Sequence, residues 1–313
     1  MNKKYLAAVL VASLALTGFG TVGQSNASAA ATTTQVSAYT NVKINRSLVL
    51  EGDIAFEYPG SNGVMLRGSV RLPDSYEEGN TYPVAILSHG IFGDRNQSGM
   101  FTALTDALQK KGFVTVRFDF DGYGESDGTL LYNSIISEKE DLGAIIDYVK
   151  TLDYVNSDKI NLVGYSMGGA ATSLAAGERA DEIHSVALWS PASVLVDNCE
   201  QGIMFDAQVD VNNLPDEIPV LGGAFTFGKK FIEDAIGLDI YGISAQYEGS
   251  VLIVHGTNDV VVPMSYSERY KEVYGKDAKL VVVKGGEHVY VDDALDLAVK
   301  RTVNFLYKQN KGN

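Results

Sequence analysis

The sequence has little cysteine and little histidine: one Cys and four His occur among its 313 residues. The single cysteine, Cys199, excludes an intrachain disulfide, so the stability of the fold must come from a hydrophobic core. With 45% hydrophobic and 20% charged residues, the composition fits one large globular domain. An unpaired thiol usually packs as a small apolar group, and we expect this role for Cys199 rather than a catalytic one.

Basic residues are also in the minority, with 25 Lys and Arg against 39 Asp and Glu, which gives a formal net charge of −14. An electrostatic field of this sign disfavours nucleic acids and anionic membrane surfaces as partners. We interpret the negative charge as a contribution to solubility alone.

The N-terminal region has the pattern of a secretory signal peptide. Two lysines precede a largely apolar stretch at residues 5–20, and residues 27–29 (Ala-Ser-Ala) form a small-x-small cleavage site. A membrane anchor is the alternative, but the apolar stretch is shorter than the ~20 residues that a spanning helix needs. We therefore expect a signal peptide at residues 1–29, a linker at 30–41 and a secreted domain at 42–313, free of the membrane after cleavage.

Short β-branched runs alternate with helical patterns along the rest of the chain, which predicts a mostly parallel sheet with helices on both faces. We predict strands at residues 47–57, 64–72, 82–88, 113–119, 159–165, 184–190, 250–255 and 279–284. We predict crossover helices at residues 98–111, 136–151, 167–179, 265–274 and 290–308. The turn-rich residues 58–63 favour an antiparallel hairpin between the first two strands.

About sixty residues separate the sixth predicted strand from the seventh, where a simple crossover would need far fewer. Connections of this length in a compact domain are usually lids or binding insertions. The interval is rich in aromatic residues, which would either form a small core of its own or face a substrate. We predict a cap over the active site at about residues 194–248.

A G-x-S-x-G motif at residues 164–168 lies between the fifth predicted strand and the helix that follows it. A tight strand-to-helix turn of this kind exposes the hydroxyl of Ser166 above the sheet and makes it a nucleophile. The motif in this context predicts the α/β-hydrolase fold, here with eight strands and with the cap between strands 6 and 7.

A serine hydroxyl is a weak nucleophile, so it needs a base that is oriented by a carboxylate. In this fold the order along the chain is Ser, acid, His. His288 follows the last strand in a glycine-rich loop, and Asp259 follows the seventh strand. We predict His288 as the base and Asp259 as its partner.

The other histidines and a second group of acids are not assigned to catalysis. His89 is expected to brace the loop after the third strand, and His184 to serve packing or the surface. His255 begins the segment His-Gly-Thr-Asn-Asp and is given no role. The carboxylates of the loop at residues 119–128 are expected to accept hydrogen bonds from turn N–H groups.

The negative oxygen of a tetrahedral intermediate needs fixed hydrogen-bond donors, which this fold supplies from the backbone. The residue after the nucleophile, Met167, provides one N–H at the N-terminus of a helix. The loop after the third strand provides the other, at Ile91. This chemistry needs neither a metal nor another cofactor, and we predict none.

These motifs resemble those of the bacterial cinnamoyl and feruloyl esterases. The resemblance covers the loop at residues 89–93, the segment 117–128, the stretch at 240–247 where the insertion ends, and His288. It implies an ester hydrolase that forms an acyl-enzyme and acts on hydroxycinnamoyl or other small acyl esters, with plant cell-wall material as one source.

In that family the cap lies over the acyl pocket, and an aromatic hydroxyl on it meets the phenol of the substrate. Tyr241 matches this position. The matching carboxylate position falls at Asn198, beside Asp197, so these three residues are implied as substrate-binding. The family commonly has Gly-Phe where this chain has Gly90-Ile91, and often Gly-His-Ser where it has Gly164-Tyr165-Ser166.

Two other functions remain as alternatives. A peptidase related to prolyl oligopeptidases would share the triad, but such enzymes usually add an N-terminal propeller, which the roughly 284 residues after the signal peptide do not accommodate. A non-catalytic binding module of the same fold typically loses a member of the triad, whereas all three are present here.

Overall fold

The computed structural model describes residues 52–311. The predicted signal peptide and linker, and the start of the first predicted strand, lie outside these residues. The main sheet is built from β1 (Ile54–Pro59), β2 (Met65–Arg71), β3 (Tyr82–Ser88), β4 (Val114–Phe118), β5 (Val155–Tyr165), β6 (Ser185–Trp189), β11 (Ser250–Gly256) and β12 (Ala278–Val283). Four short strands lie between β6 and β11, namely β7 (Ile203–Met204), β8 (Ala207–Gln208), β9 (Glu217–Val220) and β10 (Phe225–Gly228).

Five α-helices connect or flank the strands of the main sheet: α1 (Met100–Gln109), α2 (Ile135–Lys150), α3 (Ser166–Glu178), α7 (Met264–Tyr274) and α8 (Asp292–Asn310). Three shorter helices lie between β6 and β11: α4 (Val194–Glu200), α5 (Lys230–Glu233) and α6 (Ile240–Ser244). None of the helices in the described part of the chain is long and apolar enough to cross a membrane.

The strands of the main sheet lie in the order β1-β2-β4-β3-β5-β6-β11-β12. β2 is antiparallel to both β1 and β4, and all other neighbouring pairs are parallel. From β3 the chain moves to β4 on one side and then returns to β5 on the other. The loops that follow β3 and β5 therefore separate at the carboxyl edge of the sheet, where open α/β sheets bind their ligands.

The core has two parts, one on each face of the sheet. Successive residues of β3 alternate between them, with Val84 and Ile86 in the first cluster and Ala85 and Leu87 in the second. The first cluster includes residues of α2, α3 and α7, and the second includes residues of α1 and α8. This two-sided burial is the reason why the central strands are almost continuously apolar.

The predicted fold class is confirmed, and the eight strands and five helices of the main domain lie close to their predicted positions. The antiparallel hairpin of β1 and β2 is also present. Among the elements whose predicted bounds all lie within residues 52–311, the largest shift is at β5, which begins at Val155 rather than at residue 159. Its polar first residues, Asn156 to Asp158, have the composition of a loop, and an irregularity interrupts the pairing with β3 between Tyr82 and Val84.

The segment between β6 and β11 does not form a separate core. Its buried apolar residues belong to the same cluster as those of α2 and α3; they are Val196, Cys199, Met204, Ile218, Val220, Phe227, Phe231, Ile232, Ala235, Ile240, Tyr241 and Tyr247. Burial raises the pKa of the Cys199 thiol to about 12, in keeping with a packing role. The role of this segment as a cap stays a prediction.

Three buried carboxyl groups, those of Asp121, Glu138 and Asp141, lie in or beside α2. Burial raises the pKa of all three, that of Asp141 to about 7. One oxygen of each has no hydrogen-bond partner among the described residues. Burial without a full set of donors therefore disfavours the charged form of these groups in the folded state.

Replacing Asp141 by Asn should make the free energy of unfolding depend less on a rise in pH. Because the pKa of Asp141 is higher in the folded state, the unfolded chain releases this proton first as the pH rises. The free energy of unfolding of the wild type then falls between about pH 4 and about pH 7, by about 1.4 kcal/mol for each unit of pKa difference. The stability of Asp141→Asn relative to wild type should thus increase from pH 5 to pH 8, as measured by urea unfolding.

The exposed Asp158 provides the matched control, because Asp158→Asn removes a carboxyl group that is not buried. A stability difference between Asp141→Asn and wild type that stays constant from pH 5 to pH 8 would contradict the prediction.

Candidate active site

Ser166 lies where β5 ends and α3 begins, in a backbone conformation that few residues other than glycine adopt. Its φ is +54°, and Tyr165 before it is still extended. A Cβ atom at Gly164 would overlap the Thr172 hydroxyl, and one at Gly168 would overlap the carbonyl oxygen of His89. The two glycines of the motif are therefore required by close backbone approach, as the sequence predicts.

The three residues predicted to form a triad are hydrogen-bonded in the predicted order. The Nε2 atom of His288 lies 3.0 Å from the Oγ atom of Ser166, and its Nδ1 atom lies 2.7 Å from the Oδ2 atom of Asp259. The Tyr165 hydroxyl donates to the carbonyl oxygen of His288 over 3.0 Å, which ties the loop after β12 to the end of β5. These distances are within reach for proton transfer between Ser166 and His288.

The carboxylate of Asp259 is completely buried, and both its oxygens have donors. Oδ1 accepts from the N–H groups of Val261 and Val262 at 2.9 and 2.8 Å. Oδ2 faces His288 and also the Nε2 atom of His255, at 3.2 Å. Burial alone would raise the pKa of Asp259, but the hydrogen bonds from His255, His288 and the Val262 N–H outweigh it and hold the pKa well below its usual range. Asp259 is thus a charged partner for His288.

The loop after β3 lies directly against the nucleophile. A Cβ atom at Gly90 would lie 2.9 Å from the Cβ atom of Ser166. The Gly90 N–H is already used, since it donates to the side chain of Gln97 over 2.6 Å. The N–H groups of Ile91 and Met167 donate to no residue in the described part of the chain. Both predicted oxyanion donors are therefore free for a ligand, and that role stays a prediction.

His89 and His184 have the structural roles expected of them. His89 is completely buried; its Nδ1 lies 2.9 Å from the carbonyl oxygen of Gly90, and its Nε2 accepts from the Phe120 N–H at 3.1 Å. Burial lowers the pKa of His89, so the ring braces the loop in its neutral form. His184 contacts the carbonyl oxygen of Gln309 at the end of α8.

The loop at residues 119–128 also matches its structural interpretation. Asp119 is buried and accepts hydrogen bonds from the N–H groups of Arg95 and Glu125 at 2.6 and 3.0 Å. Its carboxylate lies 2.9 Å from the guanidinium of Arg95. These bonds hold the turn after β4 and involve none of the three triad residues.

The structure places Tyr241 in a buried polar cluster with its hydroxyl engaged. This hydroxyl is hydrogen-bonded to the Ser193 hydroxyl at 2.7 Å, and the guanidinium of Arg269 lies 4.1 Å from the ring centroid. Asp197 accepts from the Tyr266 hydroxyl over 2.6 Å. Asn198 is half-buried on α4. The substrate-binding role of Tyr241, Asp197 and Asn198 stays a prediction.

Sequence reasoning missed two features of the site. The first is His255, whose imidazole reaches Asp259; the signal was the spacing of four residues between them in the segment after β11. The second is Phe92, which follows Ile91 and has a φ of +61°. Its ring centroid lies 5.1 Å from that of Phe205 and 4.5 Å from that of Phe225, so the segment between β6 and β11 packs against the predicted oxyanion loop.

Within residues 52–311, no group of three or more His, Cys, Asp or Glu side chains has an arrangement that would hold a metal ion.

Comparison with known proteins supports the fold. A family model described as the alpha/beta hydrolase fold matches residues 83–212. YcjY of Escherichia coli (strain K12), an uncharacterized protein, is 33% identical over 132 residues, which are 41% of this chain and 42% of the relative. YfhR of Escherichia coli O157:H7, also uncharacterized, is 24% identical over 254 residues, 80% of this chain and 79% of the relative. The match to YcjY thus spans only about two fifths of that relative's length.

Among solved structures, Est1E from Butyrivibrio proteoclasticus with ferulic acid bound superposes with a TM-score of 0.74 and 29% sequence identity. The match covers 80% of this chain and 98% of Est1E. The chain therefore has the fold of the α/β-hydrolases, and the resemblance to feruloyl esterases that its sequence indicates is confirmed.

Proposed function

We propose that the protein is a secreted serine hydrolase of carboxylic esters. One observation carries the proposal, namely the continuous hydrogen-bonded series from the Ser166 hydroxyl through His288 to the charged carboxylate of Asp259. The series begins on a turn whose backbone conformation is unusual for serine, and unusual conformations of this kind concentrate at functional sites.

The geometry supports a two-step reaction. His288 Nε2 accepts the Ser166 proton as Oγ forms a bond to the carbonyl carbon of the ester, and the carbonyl oxygen becomes negative between the Ile91 and Met167 N–H groups. The bond to the alkoxy oxygen then breaks, and His288 gives its proton to the departing alcohol. Water attacks the acyl-enzyme in the same way, releases the acid and restores Ser166.

The aromatic side chains next to the oxyanion loop support an aromatic acyl group as the substrate. Phe92 lies beside Ile91 in the chain, and Phe205 and Phe225 from the segment between β6 and β11 pack on it, all three half-buried. Flat apolar rings favour contact with another flat ring. Together with the likeness to Est1E, whose structure holds ferulic acid, this favours hydroxycinnamoyl esters over other small acyl esters.

The proposal includes export, which rests on the N-terminal sequence alone. The positive start, the apolar stretch and the small-x-small site at residues 27–29 support a signal peptide at residues 1–29. An extracellular or periplasmic enzyme would meet esters released from plant cell walls.

Ser166→Ala should lose nearly all esterase activity and keep its fold, because the covalent route is lost while the core is unchanged. Activity is measured on methyl ferulate and p-nitrophenyl acetate, and folding by circular dichroism. A fluorophosphonate probe should label the wild type at Ser166 and leave the variant unlabelled. Labelling of another residue, or a variant with more than a few per cent of wild-type kcat, would disprove the assignment.

His288→Ala should be about as damaging as the serine change, and Asp259→Asn should be less damaging because the acid orients and stabilises the base. Activity of the wild type should decline in acid solution as the base takes up a proton. The measurement is kcat/KM against pH for the wild type and both variants. His184→Ala is the control, since this histidine precedes β6 at the amino end of the strand and contacts Gln309 of α8. A fully active Asp259→Asn would exclude Asp259 as the acid.

Phe225→Ala should lower kcat/KM for methyl ferulate several-fold more than for p-nitrophenyl acetate, since one aromatic contact contributes about 0.5–1.5 kcal/mol. Tyr307→Ala on α8 provides an aromatic control on the other face of the sheet. Equal losses on both substrates, or a wild type that does not hydrolyse methyl ferulate, would leave a short-chain carboxylesterase.

The same pair of substrates tests Tyr241. A loss of kcat/KM confined to methyl ferulate in Tyr241→Phe would support a hydrogen bond to the phenol of the substrate. Equal losses on both substrates would support a packing role.

A further inference from the structure

His255 lies at the end of β11 and is completely buried, yet the proposed reaction gives it no part. Its Nε2 atom lies 2.9 Å from the carbonyl oxygen of Val262 and 3.2 Å from Oδ2 of Asp259. On the other side of the ring, Nδ1 lies 2.6 Å from the hydroxyl of Ser267, which is itself buried on α7. Both ring nitrogens therefore have specific partners.

The partners of His255 determine where its proton resides. A carbonyl oxygen and a carboxylate oxygen are both acceptors, so the nitrogen between them, Nε2, must carry a hydrogen. The Ser267 hydroxyl, which can donate or accept, is then the donor to Nδ1. The hydrogen-bond pattern thus fixes one tautomer, with its N–H directed toward Val262 and Asp259.

We propose that His255 is a positioning residue for the catalytic base, and that Ser267 fixes its tautomer. This inference rests on the proposed function. His255 supplies a second imidazole N–H to Oδ2 of Asp259, the same oxygen that holds Nδ1 of His288. The carboxylate is thereby held by imidazoles on one oxygen and by the backbone N–H groups of Val261 and Val262 on the other.

Two effects follow because both imidazoles contact the same oxygen, Oδ2 of Asp259. The carboxylate cannot rotate without losing the His255 contact, so it presents Oδ2 to His288 in one orientation. The His255 N–H also reduces the negative potential that His288 experiences, so the imidazolium form of His288 is stabilised less. Removing the N–H should therefore lower the rate and move the acid midpoint of the rate–pH profile to higher pH.

The other titratable groups around this cluster do not produce such a change. Tyr165 from β5 and Tyr290 after β12 face Asp259 and His288, and burial raises the pKa of both phenols, so they stay neutral in acid. Glu287, next to His288 in the chain, is exposed. Ser267, from α7, carries no charge. Tyr165, Tyr290 and Glu287 are unchanged in the variants below.

Two substitutions separate the N–H donor from the volume of the ring. His255→Leu fills a similar space and has no donor, whereas the amide of Gln in His255→Gln retains an N–H. The rate of Ser166 labelling by a fluorophosphonate is measured from pH 4.5 to 8.5, together with kcat/KM for p-nitrophenyl acetate, on the full chain. The number of reactive sites is first counted by letting the probe label each sample to completion. Each rate is then divided by that number.

We expect His255→Leu to lower the plateau rate roughly tenfold and to raise the acid midpoint by roughly half a pH unit. His255→Gln should keep the midpoint of the wild type. Ser267→Ala, which loses only the hydrogen bond to Nδ1, should lower the rate and raise the midpoint less than His255→Leu does. Loss of stability alone would lower the number of reactive sites and leave the midpoint in place, so the shift distinguishes positioning from folding.

A His255→Leu variant with the wild-type midpoint would overturn the inference, as would a His255→Gln variant shifted as far as His255→Leu. If His255→Leu does not fold, the other two variants decide. A wild-type acid midpoint in His255→Gln together with a small upward shift of the midpoint in Ser267→Ala supports the inference. A shifted midpoint in His255→Gln overturns it. A wild type whose Ser166 is not labelled at any pH would instead overturn the proposed function, and the inference with it.

Discussion

The candidate site depends on keeping one carboxylate, that of Asp259, charged inside the protein. Removing such a group from water costs several kcal/mol unless donors replace the water, and here four N–H groups do so. Two of them belong to the backbone just after Asp259, so the loop folds around its own side chain. The other two are imidazoles, which links the end of β11 to the loop after β12.

The second constraint is the backbone conformation at Ser166. A positive φ in a residue other than glycine costs of order 1–3 kcal/mol, and it persists only where the surroundings leave no alternative. Here β5 lies in the middle of the sheet, and the first turn of α3 is buried, with Gly168 packed closely against the backbone of Ser88 and His89. Packing energy from the core thus maintains the strained turn, and the turn sets the position of the hydroxyl.

Much of this arrangement could be predicted because it depends on local pattern and on chain order. The apolar runs identify the strands of the sheet, the glycines around Ser166 identify the turn, and the positions of Asp259 and His288 after β11 and β12 follow from the rule that ligands bind at the carboxyl edge. These features need no knowledge of how helices pack on the sheet.

The features that could not be predicted depend on tertiary packing. The ring of His255 lies between Asp259 and Ser267 of α7, and the packing of α7 on β11, which brings Ser267 to this ring, cannot be read from the sequence. The strands β7 to β10 are two to four residues long, too short to give a period of two. The hydrogen bond between the hydroxyls of Tyr241 and Ser193 likewise depends on tertiary packing, and motif matching does not reveal it.

The segment between β6 and β11 combines two parts with different physical constraints. Its C-terminal part is fixed to the nucleophile helix: α6 approaches α3 so closely that a Cβ atom at Gly177 would overlap the carbonyl oxygen of Ile243. The hairpins of β7 to β10 instead contact the loop after β3 through half-buried aromatic rings that pack on Phe92. Substitutions of Phe205 or Phe225 would therefore change the side chains beside Phe92 and leave the contact of α6 with α3 in place. In the proposed enzyme, such changes would alter specificity while the position of Ser166 is kept.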